Sequence, residues 1–162
     1  MSRKAFAGAV TDTNTDVTKM GEVGDERFEG GKTYRLVYTV ASEANRAFLG
    51  HATVDTLMAS YSVEAATHTK PVFGYNATGA SVPALSYFWA QTKGPVILHS
   101  DSYGEALSAN VMLCLSSNET VKMQDSNEAF NVAGIGYSVT AGVSTTGGVA
   151  IWLDPSIANT IG

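Results

Sequence analysis

A mainly β fold, a compact antiparallel β-sandwich or barrel, is what this sequence predicts. Three observations carry the prediction. Short runs of β-favouring residues recur at near-regular spacing, separated by clusters of Gly, Asn, Asp, Ser and Pro. Only one stretch has an arguable helical character. Charged residues make up 15% of the 162 and hydrophobic residues 44%, against about a quarter charged in an ordinary soluble protein. Such a chain packs much of itself away or shows apolar surface to neighbours.

Residues 1–22 are rich in Thr, Asp and Asn and carry no proline, with isolated apolar side chains at Phe6, Val10, Val17 and Met20. They predict an extended N-terminal arm, distinct from a single β-domain over residues 23–162. Ordering an arm costs roughly 1–2 kcal/mol of backbone entropy per residue, which only burial or pairing can offset. The arm is therefore expected to add a strand to an exposed sheet edge of a neighbouring subunit or partner, with Val10, Val17 and Met20 as anchors.

From Gly24 the pattern tightens. Glu29–Gly30–Gly31 is a turn between GDERF and KTYRLVYTV, and in the second run Tyr34, Leu36, Tyr38 and Val40 alternate with Thr33, Arg35 and Thr39. This predicts a hairpin. Residues 43–60 are the arguable helix: Ser42 offers a cap, Ala and Leu favour helix, Phe48, Leu57 and Met58 offer a core face, and Gly50 interrupts it. At most one short helix is expected. Strands follow in YSVEAAT, PVFGYN, LSYFWAQ, PVILHS, NVMLCLS, TVKMQ, NVAGIGYSVTA and GGVAIWLD.

Within LSYFWAQ, Tyr87 and Trp89 share one face and Phe88 takes the other, so both faces are apolar. Such a strand is buried between layers of one domain or against a neighbouring subunit. Gln91 and Thr92 mark where it meets solvent or a polar contact.

Chemistry is sparse. The formal net charge is −5 and the cations are scattered, Arg3–Lys4 apart, so no nucleic-acid partner is expected. No apolar run is long enough for a bilayer, and the first residues lack the apolar core of a signal peptide. The expectation is no membrane partner and synthesis in the cytoplasm. The single cysteine, Cys114, lies in VMLCL and is expected as a buried hydrophobe.

His51, His68 and His99 stand apart, with no carboxylate or second histidine at metal-ligand spacing. The acids Asp101, Glu105 and Asp125 are ordinary loop acids rather than an acid–base pair. No nucleophile elbow, phosphate loop or zinc-protease motif occurs. No catalytic residue, metal or cofactor is expected. Tyr75, Tyr87, Trp89, Tyr103 and Trp152 offer rings for stacking on sugars, while the plainer reading of Trp89 and Trp152 is core. The sequons Asn76–Ala77–Thr78 and Asn118–Glu119–Thr120 are expected as turns.

A longer pattern runs through these strands. A Pro-led turn enters an aromatic strand at Pro83, Tyr87, Phe88, Trp89, Gln91, Thr92, Gly94 and Pro95. Gly104 and Leu107, then Ile135 and Gly136, then Val149, Ile151 and Leu153 follow. Together with the hairpin GDERFEGGKTYRLVYT, this resembles the capsid-associated structural proteins of tailed phages, usually head decoration or cement proteins. The match spans residues 24–153; the arm and residues 43–70 have no counterpart in it. The resemblance implies a non-enzymatic virion protein on the capsid surface, a homotrimer whose partner is the major capsid protein. Val10, Val17, Met20, Tyr87, Phe88, Trp89, Gln91 and Trp152 are the expected interface residues. A carbohydrate-binding module is the alternative.

Overall fold

The Gly30–Gly31 turn sets the first register. In the computed structural model, which describes residues 8–52, 62–66, 72–99, 106–115, 121–123, 134–142 and 148–155, both glycines have positive φ, +60° and +77°. Two such residues make the two-residue turn whose twist matches that of paired strands. It joins β2 (Glu26–Glu29) to β3 (Lys32–Thr39), with Glu29 opposite Lys32. The expected hairpin is present.

Among the described residues the remaining strands are β1 (Thr13–Asn14), β4 (Phe48–His51), β5 (Ser62–Ala65), β6 (Val72–Tyr75), β7 (Ser86–Leu98), β8 (Met112–Leu115), β9 (Val121–Met123), β10 (Gly134–Ser138) and β11 (Val149–Leu153). Among the described residues no helix of seven or more residues occurs, and the fold is mainly β. A 3₁₀ turn spans Val17–Lys19, capped by the Asp16 carboxylate, which accepts from the Thr18 amide.

Five strands close a barrel in the order β3–β5–β4–β6–β7 and back to β3. All neighbours run antiparallel except β3 and β5, which pair in parallel through Tyr38↔Ser62 and Thr39↔Val63. Each strand sends an apolar side chain into one cluster: Val37, Val63, Leu49, Phe73 and, from β7, Phe88 and Ala90, with Val82 beside them. That cluster fills the barrel.

Strand β7 is thirteen residues long and belongs to two sheets. Its first part pairs with β3, Leu36 opposite Trp89 and Val37 opposite Phe88. Its last part pairs with β11, Gly94 opposite Leu153 through Leu98 opposite Val149. Beyond β11 come β10, β8 and β9. The apolar side of this second sheet, Val96, Leu98, Leu113, Ile135, Ile151 and Leu153, packs in one core with Phe48 of β4 and Val72 and Tyr75 of β6. Cys114 is buried in β8. The two separate strands expected for LSYFWAQ and PVILHS are thus one bent strand, its change of sheet made at Gly94, which has φ +105°.

The opposite outer side of the barrel is covered by the arm. Strand β6 reaches β7 only at Tyr75↔Gln91, which leaves the start of β7 open on that side, and β1 fills the gap with Thr13 opposite Phe88 and Asn14 opposite Tyr87. Met20 then buries itself with Tyr34, Leu36 and Trp89, and Val10 and Val17 pack around them. The strand edge that residues 8–21 join is therefore this chain's own, rather than a neighbour's. The open edge and the indole of Trp89, which the arm buries, both lie within the same chain.

Residues 43–52 differ from the helical expectation. Glu43 bridges Val82, residues 45 and 46 turn, and Phe48–His51 is strand. This segment lies between β5 and β6 and pairs with both; ladder pairing on two sides overrides a modest helix propensity. Residues 53–60 lie outside the described residues.

Two predictions follow from this packing. A methyl group at Gly94 would sit 2.6 Å from the Gly31 carbonyl oxygen, at a φ that side chains avoid. Gly94→Ala is expected to lower unfolding free energy by about 1–3 kcal/mol, measured in urea. Met20→Ala, which uncovers Trp89, is expected to cost about 2–5 kcal/mol in the same titration, as for other buried truncations.

Candidate functional site

Three of the barrel's loops and strand ends meet at one end: the β3–β4 loop, the β6–β7 loop and the start of β7. Along the outer face of β3 and β7, the arm covers Tyr34, Leu36 and Trp89 and reaches Tyr87, which packs against the same cluster. Tyr87 pairs with Tyr38 across the ladder with ring centroids 4.9 Å apart. Thr39 pairs with Ser86, so Val40 and Leu85 follow at the end of the ladder. They are 41% and 60% exposed. Pro83 and Ala84 are exposed beside them. The result is a small apolar tip on a barrel whose flanks are covered.

Leu85 has φ +58°. A left-handed backbone costs a non-glycine residue roughly 1–2 kcal/mol, and here the conformation is held by the Leu85 amide donating to the Thr39 carbonyl at 2.9 Å. Strain of this kind at an exposed apolar side chain is an observation that points toward a role for the tip.

Polar side chains fasten the loops behind the tip. Asn76 is fully buried. Its side-chain amide donates to the Ala44 and Ala80 carbonyls at 2.7 and 3.1 Å, and its side-chain oxygen accepts from the Thr78 amide and hydroxyl. The first sequon is thus a turn, as expected, and Asn76 is sealed inside it; the second lies outside the described residues. Glu43 and Val82 exchange two backbone hydrogen bonds of 2.9 Å. Glu43 is 1% exposed, and burial pushes its pKa up.

Beside the loops lies a shallow cleft of about 240 Å³ whose lining includes Lys32, Asn45, Arg46, Asn76 and Gln91. A second cleft, of about 350 Å³, is bordered by two ion pairs. These are Arg35 with Glu26 at 2.6 Å and Lys93 with the mostly buried Asp154 at 2.7 Å. His51 stacks on Phe73 with centroids 4.7 Å apart, and burial, with Arg35 nearby, lowers its pKa. Among the described residues no three of His, Cys, Asp and Glu converge on one point.

The expected interface residues are scattered by this geometry. Phe88 fills the barrel, Trp89 lies beneath the arm, and Gln91 is fully buried. Gln91 donates its side-chain amide to the Pro95 carbonyl at 3.1 Å and the Lys93 carbonyl at 3.4 Å, so its polar contact is the backbone of β7's own bend. Met20 is buried, and Val10 and Val17 are half-buried around it. These six side chains are engaged within the chain. Tyr87 and Trp152 keep partial exposure. For sugar stacking, Tyr75 and Trp89 are buried and Tyr103 lies outside the described residues, as do His68, Asp101, Glu105 and Asp125. Glu43, Leu85 and Val40 as a tip were not singled out from sequence; the Pro83–Ala84 turn was the visible signal.

No protein-family model matches the chain, and no curated protein matches it. Among solved structures it is similar to the head fiber gp8.5 N base of bacteriophage phi29, with a TM-score of 0.50 at 12% identity. The alignment covers 77% of this chain and 96% of that one. At that identity the likeness is one of fold.

Leu85→Gly relieves the left-handed strain while adding chain entropy to the unfolded state. It is expected to stabilise the protein by about 0.5–1 kcal/mol, measured by urea unfolding.

Proposed function

We propose that this chain is a non-enzymatic virion structural protein of a tailed phage, borne on the outer surface of the head. The observation that supports the reading is the fold it shares with a phage head fiber base, over nearly the whole of that base. The sequence pattern of residues 24–153 points the same way. In this reading the protein decorates and stabilises the capsid lattice, with the major capsid protein as its partner.

The apolar tip at Val40 and Leu85 is the surface proposed to meet the capsid. It is too small for tight binding by itself, since specific interfaces bury roughly 800 Å² per partner. A homotrimer presenting three tips raises occupancy through effective concentration. The sugar-binding alternative loses Trp89, whose indole is fully buried, and no described feature favours it in return.

Co-sedimentation with empty capsids, with light scattering for the oligomer, tests the proposal. The wild-type protein is expected to sediment with capsids as a trimer. Val40→Asp and Leu85→Asp are each expected to lower its affinity about tenfold or more, equivalent to about 1.4 kcal/mol, with the circular dichroism spectrum unchanged. Wild-type protein that ignores capsids would sink the head assignment. Capsid binding that survives both substitutions would sink the tip.

A further inference from the structure

Glu43 is buried with few partners for its carboxyl group. The Thr39 hydroxyl oxygen contacts three oxygens: the carbonyl of Ala41, the carbonyl of Val63 at 3.3 Å and Oε1 of Glu43 at 2.9 Å. A hydroxyl carries one hydrogen. Both carbonyls can only accept, so when Thr39 donates to Ala41, its contact with Glu43 is a hydrogen bond only if the carboxyl group donates. The other carboxyl oxygen, Oε2, is buried with no hydrogen-bond partner. A charged carboxylate with one oxygen facing a hydroxyl already committed elsewhere and the other facing nothing is a costly arrangement.

No cation offsets that cost. Glu43 forms no ion pair among the described residues. On its own loop Arg46 is exposed and lines the cleft beside Lys32. On β4 His51 stacks against Phe73, and on β5 Glu64 is a neighbour of Val63. The 81–85 segment facing Glu43 carries no titratable side chain. None of these groups exerts a resolved electrostatic effect on Glu43; burial raises its pKa, and a hydrogen bond from Thr39, in the arrangement where the hydroxyl turns to the carboxyl and away from Ala41, acts in the opposite sense.

We propose that Glu43 is a protonated latch, a neutral carboxylic acid that locks the β3–β4 loop to the β6–β7 loop, and that its ionisation loosens the end of the barrel bearing Val40 and Leu85. The position is suited to this, because Glu43 carries both backbone hydrogen bonds to Val82, one residue from the Pro83–Ala84 turn. The device goes beyond the capsid reading and holds whatever the tip meets.

The sign of the pH dependence follows. The folded state holds the Glu43 proton more tightly than the unfolded chain, where a glutamate titrates near about 4.3. The contribution to stability is therefore greatest below that value and falls as pH rises from it towards the folded-state pKa. Beyond the folded-state pKa it stays constant.

Carbon NMR of the Glu43 carboxyl in the wild-type protein is the first measurement. The expected midpoint lies above the ordinary glutamate value, as burial of the carboxyl dictates, and a midpoint at the ordinary value overturns the proposal without any variant. The second is amide hydrogen exchange at Glu43 and Val82 in wild type and Glu43→Gln, compared at equal pH so that intrinsic rates cancel. Glutamine keeps the donor but cannot ionise. The ratio of wild-type to variant exchange is expected to rise tenfold or more across the Glu43 titration, while amides in β10 and β11 stay equal in the two proteins. A ratio that is flat in pH refutes the latch.

Discussion

Strand β7 has to satisfy two sheets with one backbone. Its first half closes the barrel against β3 and its second half starts the outer sheet against β11, so the change of partner must happen without leaving buried amides and carbonyls unpaired. The chain solves this at residues 91–95. Gln91 turns its amide back onto the carbonyls of Lys93 and Pro95, and the Thr92 hydroxyl donates to the Thr33 carbonyl. Gly94 supplies a backbone conformation and a close approach to Gly31 that a side chain would block. The hairpin turn and the bend therefore rest on each other.

The layering follows from that strand. The second sheet leaves β7 on the side of β4 and β6 and shares a core with Phe48, Val72 and Tyr75. The β3–β7 face is left for the arm, which covers Trp89 with Met20. With both flanks used, the low charge of the chain has a largely internal explanation. What stays uncovered at this barrel end is small, apolar and strained, whereas the aromatic strand is used up within the chain.

Buried polar groups decide how that end is held. Asn76 makes four side-chain hydrogen bonds between the 44–47 and 76–80 segments, and all of its capacity is used. Glu43 is the opposite case, buried with one oxygen unpartnered. A satisfied network fixes a geometry, while a partly satisfied one holds a group whose loss of a proton can loosen it. The two lie in the same pair of loops, so one end of the barrel is both ordered and conditionally stable.

What the sequence by itself determined is local. The Gly30–Gly31 pair needs no distant contact to make a hairpin turn, because two residues free to take positive φ favour it directly. The alternation in KTYRLVYTV and the apolar faces of Tyr87–Phe88–Trp89 likewise follow from the two-residue period of a strand, and with the turn spacing they determine a mainly β fold. Tertiary structure decided the rest. Whether Trp89 meets a neighbour or the chain's own arm depends on which edge of β7 is open, and that is set by where β6 stops. Phe48–His51 became strand because β5 and β6 flank it, against its own helical preference. Gln91 looked like a strand end and is a buried brace, since only the folded chain brings the carbonyls of residues 93 and 95 back to its amide. Glu43 had no mark in the sequence at all: its burial and its missing cation are properties of the space around it.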